Sequence, residues 1–257
     1  MMFQNQDVLQ IAMRQSAWDL NCSESDFLKS ENVIVPSKVG PLAKKYYQEP
    51  IACNFITYGH NIVASVKEEY REIVEEYIEK FAFYHCFETP NLHWLDSRMS
   101  QKGQKVCFMA EYFLPDMHQM RRLPCDFTCK VMGPGDFEGL YLPEWGNALC
   151  EARKSLDILG VGAYEGQKLI GLAGCSADCD GMWQIGVDVL PAFRRQGIAS
   201  ALTSRLAMET LGRGRVPFYC CAWSNIASAR NAVKSGFRPA WVEMTVKPQR
   251  IVEEMNR

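Results

Sequence analysis

The chain has 257 residues, 47% of them hydrophobic, and a formal charge of −2, which is enough apolar content for one large core or two modest ones. No apolar run is long enough to span a bilayer, and the start, Met1 to Asp7, lacks the basic-then-apolar order of a secretory signal, so no membrane and a cytoplasmic location are expected. The near-neutral charge argues against general nucleic-acid binding, and Arg121-Arg122 and Arg213-Gly214-Arg215 read as solvated loop and helix-end residues.

In chain order, Gln6 to Asn21 has helical spacing, with Ile11, Ala12, Trp18 and Leu20 apolar, and Ser23-x-x-Asp26 has the form of a second helix start. Val33 to Val35, Ala52 to Tyr58 and Asn61 to Val66 read as strands, the last two joined through Tyr58-Gly59-His60-Asn61. Lys67 to Phe83 alternates charged and apolar residues at helix period, the profile of a surface helix. Val106 to Phe113 is a further apolar strand ending at Leu114-Pro115-Asp116. Residues 1–124 are therefore expected to form a mixed α/β domain.

From Cys125 the pattern changes. A strand (Cys125 to Met132), a helical stretch (Asp136 to Glu151) and strands near Ile158 to Tyr164, Lys168 to Ser176 and Gly181 to Val189 are expected. Glu165-Gly166 and Asp178-Cys179-Asp180-Gly181 supply the turns. Eleven cysteines is an odd count without secretory context, so most should be reduced and buried. Cys125 and Cys129, like Cys175 and Cys179, have three residues between them rather than the two common in zinc knuckles, and no metal is expected.

Next comes Arg194-Arg195-Gln196-Gly197-Ile198-Ala199, which follows the apolar run Trp183 to Leu190 and opens a helix-like stretch from Ser200 to Leu211. A strand thus delivers a row of backbone N–H groups to a helix N-terminus, a cradle suited to a pyrophosphate. Gly197 lets the backbone approach a ligand closely, and Ala199 keeps the next turn slim. The spacing is neither a Walker loop nor a dinucleotide fingerprint. After a buried-strand run, Pro217 to Trp223, come Ser224-Asn225-Ile226-Ala227-Ser228 and a short helix ending at Ser235-Gly236-Phe237, with Gly236 where a helix end needs positive φ.

Arg-x-x-Gly-x-Ala at 194–199 resembles the acetyl-coenzyme A loop of the GNAT superfamily of N-acetyltransferases, and Asn225-x-x-Ser228 followed by Gly236-Phe237 resembles the second signature of that superfamily. The two stand in the family's order over the last quarter of the chain, and the strand-helix order carries the resemblance back to about Cys125. The resemblance implies an α/β (α+β) GNAT fold with a mixed, strongly bent sheet over residues 125–257, preceded by a domain that could be a degenerate copy of the same fold. It also implies acetyl-coenzyme A as cosubstrate and an acceptor amine, on a small molecule or a peptide or protein N-terminus, that attacks the thioester directly in a ternary complex. The sequence does not identify that amine. A homodimer is compatible with it.

By the same resemblance, the pantetheine arm pairs with backbone at Val187 and Val189, and Arg194, Arg195, Gln196, Gly197, Ile198, Ala199 and Ser200 hold the pyrophosphate. Asn225 and Ser228 would contact the arm. Asp188 is the one ionisable side chain of its strand, sharing a face with Gln184 and Gly186, and is the first candidate base. A turn partner or an ion pair with Arg194 or Arg195 is its structural alternative, and Glu243 is the next candidate, with surface exposure as its alternative. Many relatives place a Tyr seven residues after the motif Asn to protonate the thiolate. Ala232 stands there in this chain, leaving Ser228 as candidate acid and Tyr219 behind it. Ser224 is the expected cap of the helix. Loss of that Tyr keeps open a noncatalytic acyl-coenzyme A sensor.

Overall fold

The computed structural model describes residues 3–257. By contacts the chain divides into two compact units with interleaved sequence ranges: Met1–Ile11 with Tyr112–Pro239, and Ala12–Glu111 with Ala240–Arg257. They are called here the C-terminal and N-terminal units. The cuts fall inside helix and strands rather than at the joint expected after residue 124, because single long elements run through both units.

Helix α1 (Asn5–Leu20) is one of these. In the N-terminal unit follow β1 (Val33–Pro36), β2 (Cys53–Thr57), β3 (Val63–Val66), α2 (Arg71–Lys80), α3 (Thr89–Ser100) and most of β4 (Gln104–Pro115). β3 pairs parallel with β1 and antiparallel with β2. Every residue of β2 and β3 is buried, the polar Asn54, Thr57 and Ser65 included. Val74, Tyr77 and Ile78 of α2 and Leu95 and Met99 of α3 close a core with Phe55, Ile62 and Ala64. The Tyr77 hydroxyl donates to the Cys86 carbonyl at 2.6 Å, which satisfies a polar tip inside that core. Ser23 and Asp26 do form a capping box, with the Ser23 amide on Asp26 Oδ2 at 2.8 Å, but they cap a single 3-10 turn. Helix α3 was not anticipated, since His93, Trp94, Asp96 and Ser97 blur its periodicity.

The C-terminal unit contains β5 (Thr128–Met132), β6 (Asp157–Glu165), β7 (Lys168–Ser176), β8 (Met182–Val189), α4 (Ile198–Gly212), β9 (Val216–Cys221) and α5 (Ile226–Lys234). β10 (Phe237–Pro248) starts here, continues into the N-terminal unit, where it pairs with β2, and leads to α6 (Gln249–Met255). β5 through β8 form an antiparallel meander, and β8 pairs parallel with β9 through the crossover helix α4, so the sheet is mixed, as the GNAT order requires. Nine residues of α4 are buried, and Gly171 of β7 is needed for the close fit: a Cβ there would lie 2.9 Å from Ile198 and 3.2 Å from Leu202.

The helical stretch expected over Asp136 to Glu151 is absent. That segment consists of 3-10 turns at Pro134–Phe137 and Pro143–Trp145 joined by irregular chain, because Gly139 at φ 78°, Pro143 and Gly146 interrupt any longer helix. Its apolar side chains Phe137, Trp145, Ala148 and Leu149 still pack, together with Met132 and Leu172, into a small core on the sheet.

Candidate functional site: a splayed strand pair beside a helix N-terminus

The ladder between β8 and β9 runs from Met182↔Val216 to Ile185↔Tyr219 and stops there, while β8 continues to Val189. Its other neighbour stays paired throughout: Asp188 lies opposite Leu172, and the Leu190 amide donates to the Ile170 carbonyl at 2.9 Å. Alternation along an antiparallel pair turns the backbone groups of residues 186, 188 and 190 toward β7 and those of Val187 and Val189 the other way, into the gap beyond Tyr219. One of these, the Val189 carbonyl, accepts from Arg194 Nε at 3.0 Å.

Past the strand, a turn at Pro191–Phe193 leads to Arg194, Arg195 and Gln196, all exposed, and then to α4. Arg195 has φ 64° and Gly197 φ 79°. For a side-chain-bearing residue the left-handed region costs roughly 1–2 kcal/mol, a local cost carried at this loop. Above Gly197 there is open space, with nothing within 4 Å of a notional Cβ. The first intrahelical bond is Ala201 N–H to the Gly197 carbonyl at 3.0 Å, so the amides of Ile198, Ala199 and Ser200 precede it and point out of the helix end. Ile198 is buried and anchors the turn, and the Ser200 hydroxyl donates to the Gly197 carbonyl at 3.0 Å.

Asp188 faces away from α4 and holds a strap of chain. Its carboxylate accepts from the Asn147 amide (2.9 Å), Asn147 Nδ2 (2.6 Å) and the Ala148 amide (2.9 Å), rather than from Arg194 or Arg195. Two glycines give the strap its seat: a Cβ on Gly186 would stand 1.8 Å from the Asn147 carbonyl oxygen, and one on Gly174 1.9 Å from that of Ala148. Both glycines interrupt otherwise apolar strands, which is the sequence signal for such close approach.

Across the gap, α5 starts at Asn225, whose Oδ1 accepts from the Ser228 amide at 3.1 Å, so Asn225 rather than Ser224 caps the helix. The Ser228 hydroxyl is thereby free of capping and lies 2.7 Å from the Tyr219 hydroxyl. Burial pushes the Tyr219 phenol up, against the opposing effect of its hydrogen bonds to Ser228 and Asn231, so it stays protonated. Asn231 in turn donates to Thr203 Oγ1 at 3.1 Å. Ala232 is fully buried and shares a core with Tyr219 and Phe237. Helix α5 ends at Gly236, φ 92°, which also lies close against Met120 and Gln119.

Glu243, expected on the surface, is buried in the N-terminal unit, where Asn54 Nδ2 (2.9 Å), the Tyr47 hydroxyl (3.2 Å) and Lys44 Nζ (3.2 Å) all donate to it. Its burial and these three donors make it a fixed internal partner of Lys44 rather than a surface group. No helix among the described residues is long and apolar enough to cross a membrane.

Residues 96–240 match the model of the family described as GNAT acetyltransferase. A search of curated proteins finds no match. Among solved structures, an acetyltransferase of the GNAT family from Novosphingobium aromaticivorans is similar at 17% identity and TM-score 0.45, over 56% of this chain and 66% of that one. A GCN5-related N-acetyltransferase-like protein from Streptococcus suis is similar at 19% identity and TM-score 0.46, over 61% and 68%. A GCN5-related N-acetyltransferase from Sphaerobacter thermophilus aligns over 93% of this chain and 92% of its own, at 13% identity and TM-score 0.47. More than half of the residues match the family model, and they include the splayed strands, the Gly197 loop and the capped helix α5: the chain belongs to the GNAT acetyltransferase family.

Proposed function

We propose that this protein transfers an acetyl group from acetyl-coenzyme A to a primary amine, on a small molecule or a peptide or protein N-terminus, by direct attack in a ternary complex. The observation that carries the reading is the continuity of open backbone groups. Val187 and the Val189 N–H present an open strand edge, the Val189 carbonyl being held by Arg194, and the same strand leads into the amides of residues 198–200 at the N-terminus of α4. A pantetheine arm would add to that edge as a strand, and its pyrophosphate would accept from the helix amides, where the dipole favours an anion. Arg194, Arg195 and Gln196 would flank the phosphates.

In this reading the thioester is held near Val189, whose backbone N–H serves the developing oxyanion. The amine attacks the carbonyl carbon as its neutral form, the tetrahedral intermediate expels the thiolate, and the proton shed by the nitrogen goes to solvent. Asp188 acts as a positioning residue for the 147–148 strap, since three donors already converge on its carboxylate. Ser228 would donate a hydrogen bond to the departing thiolate, with the protonated Tyr219 hydroxyl donating to Ser228 Oγ behind it, and the sulfur would take its proton from solvent, which receives the one shed by the nitrogen. Asn225 has its side-chain oxygen in the cap, leaving its amide nitrogen for the arm.

Calorimetry with coenzyme A on folded Gly197→Asp and Gly197→Asn tests the loop. Both variants carry a side chain at positive φ, but only Asp adds a negative charge at the cradle. Coenzyme affinity should fall at least ~10-fold further in Gly197→Asp than in Gly197→Asn, as expected when a charge-assisted contact is opposed. Equal affinities would remove the pyrophosphate from this loop. Mass-spectrometric detection of acetylated products over a panel of amines and peptides tests the transfer itself.

A further inference from the structure

A buried ion cluster and a pair of thiols both lie outside the chemistry above. In the N-terminal unit, Lys44 Nζ lies 3.3 Å from Asp19 Oδ2 and 3.2 Å from Glu243 Oε2, and Asp19 Oδ1 accepts from Gln15 Nε2 at 3.0 Å and from the Lys44 amide at 2.8 Å. Burial pushes the Asp19 carboxyl up, whereas for Glu243 the effect of burial is outweighed by Lys44, Asn54 and Tyr47, which hold it below its ordinary range. This cluster is closed on itself. The thiols, Cys125 and Cys129 in the C-terminal unit, are free and partly exposed.

The segment that carries the thiols is fastened to α4 at both ends. The Leu123 amide donates to Ser204 Oγ at 3.1 Å, and the Cys129 carbonyl accepts from Arg205 Nη1 at 2.8 Å. Leu123 and Cys129 are thus bonded to consecutive residues of one helix, whereas an extended run of the same length would reach about 20 Å. The chain meets this by bending at Asp126 and Phe127, before β5 begins at Thr128. Pairing of Cys129 with Ala163 of β6 holds the far side of the bend, and Phe127 within it packs edge-on against Phe193, with ring centroids 6.0 Å apart. The bend sets the Cys125 thiol beside that of Cys129, both packed against the core that α4 shares with β6 and β7.

We propose that Cys125 and Cys129 are a reversible dithiol site, closed to an intramolecular disulfide by a small-molecule disulfide such as oxidised glutathione. The Cys125 thiolate attacks one sulfur of the oxidant and expels a thiolate, leaving a mixed disulfide. The Cys129 thiolate then attacks the Cys125 sulfur, forms the bond between the two cysteines and expels the second thiolate. The pair gives two electrons to the oxidant, and its two protons pass through solvent to the two departing thiolates. Cys129 is the resolving thiol because burial, and then the adjoining Cys125 thiol, push it up to about 11, against the pull of the Arg205 and Arg122 guanidiniums. Once Cys125 is in the mixed disulfide it carries no charge, and that part of the restraint on Cys129 is lifted. The closed bond fixes the bend, and so holds Phe127 against Phe193, the residue before Arg194.

Mixtures of oxidised and reduced glutathione, equilibrated with the whole protein, test the site independently of acetyl transfer. After alkylation of the remaining thiols and digestion with trypsin, the peptide Leu123–Lys130 contains both cysteines and no others, so closure appears as that peptide unalkylated and lighter by the two thiol hydrogens. The equilibrium constant for closure should be at least ~10-fold larger in the folded protein than in urea, where nothing holds the thiols together. Cys129→Ser should stop the reaction with glutathione attached to Cys125, and Cys125→Ser should leave Cys129 open to alkylation. Equal closure in urea, a bond from either cysteine to another part of the chain, or a Cys129→Ser variant whose Cys125 stays free of glutathione would each overturn the assignment.

Discussion

The two units handle polar groups in opposite ways. The C-terminal unit leaves backbone donors open at its surface, at the end of β8 and at the first turn of α4, with open space above Gly197. The N-terminal unit takes charged side chains inside, binding Glu243 to three donors and Asp19 to three. Open backbone at the surface is cheap while water serves it, and becomes a binding surface when a ligand replaces the water. Buried charge has no such reserve, and each member depends on every other.

Removing one buried charge should therefore do the most damage. Lys44→Met leaves Asp19 and Glu243 facing each other without a cation, and should cost about 3–5 kcal/mol in urea denaturation. The pH dependence sharpens this. With Lys44 gone, both carboxyls would have folded pKa values above their unfolded ones, so their contribution is present at low pH and lost as pH rises through the folded values. The variant should gain stability on acidification, whereas in the native protein the raised Asp19 and lowered Glu243 oppose each other. A variant no more stable in acid than at neutrality would break the contrast.

Gly186→Ala comes next. Its Cβ would enter the Asn147 carbonyl, backbone against backbone, so the strap has to lift, at about 1–3 kcal/mol or somewhat more. Gly135→Ala, with nothing within 4 Å of the added carbon, is the control and should stay within about 0.5 kcal/mol of the native protein in the same melts. For Asp188→Asn, an amide nitrogen would face the strap donors, lowering stability by about 1 kcal/mol. The pH–rate profile should keep its shape, and loss of an ionisation from it would instead restore Asp188 as the base.

The smallest effect on stability and the most specific effect on chemistry belong to Ser228→Ala. The cap is made by Asn225 and the Ser228 amide, which the substitution leaves in place, so melting should hardly move while single-turnover acetyl transfer slows about 10-fold. Tyr219→Phe should slow it less, since it removes only the partner behind the hydroxyl. Slowing accompanied by a lowered melting temperature would assign Ser228 to structure.

Much of the surface arrangement was legible in the sequence, because local spacing encodes it: Gly197 at one helix start, Gly236 at the end of the next, and turns between strands, although the cap of that next helix fell to Asn225 rather than Ser224. The buried cluster was not, because Asp19, Lys44, Asn54 and Glu243 come from four distant segments and none has a local pattern. Glu243 sits after Pro239-Ala240-Trp241-Val242, where an exposed strand end was the natural expectation, and only the pairing of β10 with β2 shows it facing inward beside Asn54. The strap was missed for a related reason. Asp136 to Glu151 has apolar residues enough for a helix, and its apolar side chains do pack, but Gly139, Pro143 and Gly146 decide its backbone, while its anchor lies some forty residues further along, at Asp188.

That strap has a consequence for the order in which the unit can assemble. Its seat is made of Gly174 on β7 and Gly186 on β8, and its anchor is Asp188 on β8, so none of the surfaces that receive it exists until those two strands have paired. A segment that precedes β6 in the chain must therefore wait for β8 before it can settle, closing a long loop late in folding.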